Sequence, residues 1–146
     1  MNLPEKRVVR FINKHHVLTL ATCSGSNPWC ANCFYVYIED ENCLVFTSDY
    51  DTKHIRDVLK NCSVAGSIVL ETKLVGKIQG IQFRGLMSEP GVDELPKVKS
   101  AYLKRFPYAV LMKTMFWKVN INYIKMTDNR LGFGRKLIWG EPGRDD

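Results

Sequence analysis

The stretch "HVLTLATCSGSNPWCANCFYVYIEDENCLVFTS", His16–Ser48, decides the fold. Three runs rich in β-branched and aromatic residues, "VLTLATC", "WCANCFYVYI" and "CLVFTS", are separated by "SGSNP" and "EDEN", both rich in turn-forming residues. Connections this short join antiparallel neighbours. The segment therefore predicts a hairpin with a somewhat long first loop and a third strand folded back on it.

Upstream, Pro4 to about Lys14 reads as an amphipathic helix, with proline in the first turn and Val8, Val9, Phe11 and Ile12 as its apolar stripe. Downstream, Asp51 is the expected N-cap of a helix over "TKHIRDVLKN", with Asn61 as its stop. "SVAGSIVL" and "IQGIQFRGLM" read as strands separated by "ETKLVGK". Asp93 is the expected cap of a helix reaching about Phe106, ended by Pro107. "AVLMK" and "FWKVNINYIKM" return to strand character, and the tail shows no period until "KLIW". Strands and helices do not alternate strictly, as a doubly wound sheet would require. The expected class is α+β, mainly β: a six-stranded antiparallel β-barrel with short flanking helices. One domain over 1–140 is expected, with 141–146 as a disordered tail.

With 146 residues, 45% apolar and 25% charged, the chain has the composition of a soluble globular domain. No apolar run is long enough to cross a membrane, and "MNLPEKRVVRFINKHH" lacks a signal peptide's apolar stretch, so a cytoplasmic protein is expected. The five cysteines, an odd number, fit free thiols in that compartment. A formal charge of +6 implies attraction to nucleic acid, a phosphorylated cofactor or an acidic surface, without choosing among them.

"CANC" is the first motif to test. Positions three apart on a strand point to opposite faces, so Cys30 and Cys33 diverge, which opposes both chelation and disulfide formation. A redox dithiol also needs a helix N-terminus, and the flanking residues are strand formers. The other cysteines are single and His15, His16 and His54 lack finger-like spacing, so no metal site is expected. "VFTSDYDTKHIRDVLKN" is more informative. A strand ending in Thr47 and Ser48 runs through a short loop into a helix starting near Thr52 and Lys53. Helix N-termini present free N–H groups to phosphate, and the hydroxyls and Lys53 add donors and charge. A well-capped surface helix with an incidental lysine remains the plain alternative, favoured by Asp49 and Asp51.

In order and spacing, about Val17 to Pro90 resembles the first half of the FMN-binding split-barrel superfamily, the pyridoxamine 5′-phosphate oxidase-like proteins. The matching features are a strand ending near "LAT", a Gly/Asn-Pro turn, a second strand and a strand ending in "FT". A lysine-bearing helix and "IQGIQFRGLMSEP" with Gly85 follow. "KMTDNRLGFGRKLIW" resembles a small, poorly characterised bacterial branch of that superfamily. The resemblance implies a six-stranded Greek-key split barrel, a homodimer, and FMN in the cleft between subunits. Ala31, Asn32, Cys33 and Phe34 would run beside the flavin ring, largely through backbone groups. Thr47 and Ser48 would meet the ribityl phosphate region, Thr52 and Lys53 would hold the phosphate, and Gln82 would contact the ring or ribityl chain. Asn129, Phe133, Lys136 and Trp139 are the positions implied for contact from the partner chain.

The pyridoxamine phosphate oxidases place arginines where this chain has Ala31 and Thr52, and a C-terminal arginine–histidine pattern that "GFGRKLIW" lacks. Pyridoxamine phosphate is therefore disfavoured as substrate, and Arg56, one helical turn from Thr52, is the candidate to compensate. The implied function is an FMN-dependent oxidoreductase that moves hydride or electrons between NAD(P)H or a similar donor and a small acceptor. No side chain announces itself as acid or base, so no catalytic residue is assigned. A non-catalytic flavin or tetrapyrrole carrier is the alternative, since fold does not fix function. A nucleic-acid-binding barrel is a weaker one. It rests on Tyr102, Phe106 and Tyr108 interleaved with Lys104, Arg105 and Lys113, a pattern that a helix with one core face also produces.

Overall fold

In the computed structural model, which describes residues 2–143, the opening strands pair as their turns require. Strand β1 (Val17–Ser24) meets β2 (Asn27–Ile38) from Val17 opposite Phe34 to Ser24 opposite Asn27. Strand β3 (Cys43–Ser48) folds back onto the second half of β2. Helix α2 (Lys53–Lys60) precedes β4 (Ser63–Val69) and β5 (Gln79–Ser88); helix α3 (Leu95–Arg105) precedes β6 (Met115–Asp128) and β7 (Lys136–Gly140). Helix α1 (Lys6–Lys14) leads into β1.

The hydrogen-bonded order is β3-β2-β1-β4-β5-β6-β7, and β3 also pairs with β6. That second pairing, Ser48 opposite Met115 to Cys43 opposite Asn120, closes the first six strands into an antiparallel barrel. Strand β7 pairs with Tyr123–Thr127 of β6, continuing the edge that β3 leaves. The register of β5 on β6 slips between Arg84 and Gly85, a bulge that helps the long β6 coil around the barrel.

Alternation along the strands fills the interior. Leu18, Leu20, Tyr35, Leu44, Phe46, Ile68, Phe83, Trp117 and Val119 point inward and form one cluster. Val8, Val9, Phe11 and Ile12 of α1 and Ile55 and Val58 of α2 join that same cluster. The Tyr35 hydroxyl fixes α1 by donating to the Ile12 carbonyl at 2.6 Å. Helix α3 packs elsewhere: Val98, Tyr102 and Phe106 cover the outward Ile38, Cys43 and Val45 of β2 and β3. Beneath α1, the buried Asp128 accepts from Arg130 Nε at 3.0 Å, Arg130 Nη2 at 2.9 Å and Arg7 Nη1 at 3.3 Å. Among the described residues no helix is long and apolar enough to cross a membrane.

Several expectations need correction. The first hairpin loop is only Gly25 and Ser26, with Gly25 at φ 61°, a left-handed conformation glycine adopts without a Cβ clash. Pro28 thus lies inside β2, where β3 does not yet flank it and a missing N–H is tolerated. Thr52, and not Asp51, precedes α2; its hydroxyl turns back to the Asp49 carbonyl at 2.9 Å. Helix α3 starts at Leu95, beyond Asp93, with Glu94 at its cap. "AVLMK" is no strand: residues 107–111 form a 3-10 turn after Pro107, the local apolar run being too short to fix a period. "KLIW" makes a seventh strand outside the six-stranded barrel. The tail expectation falls partly on 144–146, outside the described residues.

A Cβ on Gly85 would lie 2.4 Å from the Asn120 carbonyl oxygen, and one on Gly66 2.3 Å from the Phe83 ring. Gly85→Ala meets backbone that cannot move aside, so it should cost about 1–3 kcal/mol and lower the melting temperature by several degrees. An unchanged thermal melt would contradict the close β5–β6 approach.

Candidate functional site

The three helices leave one broad surface bare. Outward Val17 of β1 (45%), Val69 of β4 (65%) and Ile138 of β7 (60%) are exposed, and Phe34 of β2 (55%) is exposed at the border with Phe106. The registers align outward residues in rows. Asn32, Thr19, Ser67, Gln82, Lys125 and Ile138 are successive cross-strand partners on β2, β1, β4, β5, β6 and β7. The Thr19 hydroxyl donates to Asn32 Oδ1 at 2.8 Å, which places both side chains on one face. The adjacent row runs Cys30, Ala21, Ala65, Arg84, Tyr123 and Gly140, with the Arg84 guanidinium 4.6 Å from the Tyr123 ring centroid. Ala21, Ala65 and Arg84 line an open cleft of about 1140 Å³, walled by Trp139 and Gly140–Gly143. The bare face thus offers a polar strip beside a floor of small side chains.

The β3–α2 junction supplies the second part. Ser48 Oγ lies 2.6 Å from His54 Nε2 and 3.4 Å from Thr52 Oγ1, and the Ser48 carbonyl accepts from Trp117 Nε1 at 2.9 Å. Lys53 Nζ contacts both oxygens of Asp57 at 2.9 Å and stands 5.9 Å from the Trp29 ring. Asp57 also accepts from the buried Thr22 hydroxyl at 2.9 Å. The Lys53 bond, opposed by burial and aided by Thr22, holds the Asp57 carboxyl below its ordinary range. Burial, partly offset by Asp57, presses the His54 pKa down and so favours the neutral ring. Lys53, Arg56 and Lys60 share a pocket of about 410 Å³ with Ser24, Asn27 and Asp57. Arg56 folds back to donate to the Asp51 carbonyl at 2.6 Å.

The structure joins some of the expected site residues and separates others. Asn32 and Gln82 share the polar row, and β2 links them to the junction, since Trp29 beside Lys53 is three residues before Asn32. Ala31 is half-buried and Cys33 points into the core, where burial raises its thiol pKa to about 11; only their backbone is available. Cys30 is exposed, so the two thiols diverge, and all five cysteines are free. Phe34 lies with Phe106, ring centroids 5.7 Å apart, and Thr47 Oγ1 is 3.5 Å from the Tyr102 hydroxyl. The C-terminal group is scattered: Asn129 donates to the Val75 carbonyl, Lys136 to Thr127, Trp139 to the Asn2 carbonyl, and Phe133 is 78% exposed. Thr19, Ala21, Ala65, Ser67 and Lys125 were not among the expected site residues, although period-two alternation in "VLTLATC" and "SVAGSIV" marks the first four as outward.

No family model matches the chain. A UPF0306 protein of Photorhabdus laumondii is 41% identical over 130 residues, covering 89% of this chain and 91% of that one. A UPF0306 protein of Yersinia pseudotuberculosis is 40% identical over 141 residues, covering 95% and 96%. Among solved structures, the heme storage protein HutZ of Vibrio cholerae superposes with a TM-score of 0.67 at 19% identity over 83% of this chain and 91% of that one. A FAD-binding protein of Mesorhizobium loti gives 0.70 at 14% over 85% and 94%. A heme-binding protein of Mycobacterium smegmatis gives 0.72 at 19% over 86% of this chain and 52% of that one, so the chain spans about half its length. At these identities the likeness is one of fold.

Neutral His54 helps hold the β3–α2 junction above its titration range, and that support is lost as pH falls through its lowered pKa. In a Trp29→Phe/Trp139→Phe background, where Trp117 is the remaining tryptophan, fluorescence should show a transition as pH falls through the lowered His54 pKa. His54→Gln should abolish it; a transition that persists in His54→Gln would assign it to another group.

Proposed function

The chain belongs to the UPF0306 family, and we propose that it binds FMN on the bare outer face of the barrel, between two copies of the chain. The carrying observation is the polar row Asn32–Thr19–Ser67–Gln82–Lys125, set beside the small-residue floor of Ala21 and Ala65. A flat heteroaromatic ring fits against small side chains, and the amides and hydroxyls offer both donors and acceptors to its edge. The α2 pocket, with Lys53, Arg56 and Lys60 against Asp57, suits a phosphate group; Ser48 and Thr52, outside that lining and bonded to His54 and the Asp49 carbonyl, are proposed as hydroxyl donors beside it. Exposed Val17, Val69 and Ile138 on the same surface, with Phe34 at its border, support a homodimer that covers it. Phe133, largely exposed, is then the residue proposed to reach the partner's site, Asn129, Lys136 and Trp139 being engaged within their own chain.

FMN, when bound, supplies hydride and electron chemistry. The chain's part is to hold the ring flat, set its hydrogen bonds and exclude water. No side chain at the polar row is a built acid or base, so the proposed activity is an oxidoreductase that receives electrons from NAD(P)H or a similar donor. Solved relatives in fold named for heme favour a second reading, a tetrapyrrole carrier. Against it, among the described residues the cleft lining includes no histidine, the proximal ligand of heme iron in globins and peroxidases.

Titration of the purified protein with FMN, FAD and hemin separates these readings: the proposal expects saturable flavin binding and a dimer by sedimentation. No flavin signal, or a Soret shift alone, would overturn it. In an Asp57→Asn background, where no buried carboxylate is stranded, Lys53→Ala should weaken FMN by roughly 10–100-fold. Equal affinity would remove Lys53 from the phosphate end. Bleaching by NAD(P)H, with reoxidation by an acceptor, is expected of the enzyme and not of a carrier.

A further inference from the structure

Away from that face, a pocket of about 400 Å³ opens between α1 and the turn after β6, lined by Arg7, Arg10, Phe11, Lys14, Gln79 and Arg130. Arg7, Arg10 and Lys14 recur at helical spacing on α1, opposite its buried stripe, and Arg130 follows β6 in the 3-10 turn 129–131. Among the described residues the carboxylate bonded to them is Asp128, fully buried and saturated by the Arg130 backbone N–H, the Arg130 guanidinium and Arg7. Asp128 orients the two guanidiniums without cancelling the pocket's charge, because four cationic side chains against one carboxylate leave an excess of three positive charges. Arg10 and Lys14 are exposed and, among the described residues, carry no carboxylate partner. Phe11 closes the floor, its ring 4.3 Å from that of His15, whose pKa is lowered by burial and then by Lys14.

We propose that this pocket is a second, separate anion site that takes the diphosphate group of a small phosphorylated molecule. A diphosphate carries roughly two to three negative charges near neutral pH, matching the excess, and its non-bridging oxygens suit guanidinium donors held in fixed orientation. Gln79 adds a neutral donor at the pocket rim. Convergence of the four cations on one concavity, in place of a stripe along the surface, favours a compact ligand over a nucleic-acid strand.

Inorganic pyrophosphate is the probe, with calorimetry at low and moderate salt. The expected result is saturable binding that weakens with salt and falls at least about tenfold in Arg10→Glu/Lys14→Glu. Arg10→Gln/Lys14→Gln, which removes charge without reversing it, serves if the first variant melts early. Lys53→Ala should leave pyrophosphate binding unchanged, and the α1 variants should leave FMN binding unchanged, so this site and the flavin site fail independently. Absence of pyrophosphate binding, or binding indifferent to both α1 variants, overturns the proposal. Tighter binding of a single-stranded oligonucleotide than of pyrophosphate overturns it in favour of a nucleic-acid surface.

Discussion

The pairing of β3 with the first half of β6 is the constraint on which the rest depends. It joins residues 43–48 to 115–120 and turns an open meander into a barrel. Closure removes the exposed edge of β3 and gives the interior a fixed volume, filled by large residues such as Trp117, Tyr35, Phe46 and Phe83. A barrel of that size still leaves apolar ends, which explains why α1 and α2 contribute side chains to the central cluster. Closure also brings β3 beside β6 under α3, so the covered side and the bare side of the barrel follow from one ladder.

That division between covered and bare surface makes the site. Helix α3 uses Tyr102, Phe106 and Val98 to shield β2 and β3. On the other side, Thr19, Ser67 and Gln82 lie outward at successive positions across β1, β4 and β5, unshielded. Polar groups at half-exposed strand positions keep the face wet in one copy while leaving donors ready for a ligand or a second copy. The β3–α2 junction is anchored to the same barrel through Trp117 and Thr22, whose bonds to the Ser48 carbonyl and Asp57 fix the helix start relative to the sheet. The polar row and the β3–α2 junction are therefore held by one frame.

Much of the fold was legible because its signals are local. "CLVFTS" announces β3 to the residue, and the apolar stripe Val8–Ile12 announces α1. Pro28 and the Gly-Ser pair blurred the first hairpin, since proline reads as loop until its position on an unflanked strand edge is known. "AVLMK" misled for the opposite reason: short apolar runs carry no period, and the exposed Val110 and Leu111 show that burial does not govern that segment. Lys53 and the hydroxyls of Thr47, Ser48 and Thr52 could be marked from sequence because strand-loop-helix geometry is short-range. The row from Asn32 to Lys125 could not, because it exists only once the registers of five strands are known. Cys33 shows the same limit from the other side, its neighbours along β2 giving no sign that its thiol lies in the core.

Sedimentation velocity of Ser67→Arg, followed by absorbance of added FMN, tests the central claim most directly. A long cation at the centre of the polar row leaves the interior untouched, so the barrel should keep its wild-type melt. The account predicts a folded monomer with no cosedimenting flavin, beside a wild-type dimer that carries it. A Ser67→Arg protein that still sediments as a flavin-loaded dimer would contradict the placement of ligand and partner on this face.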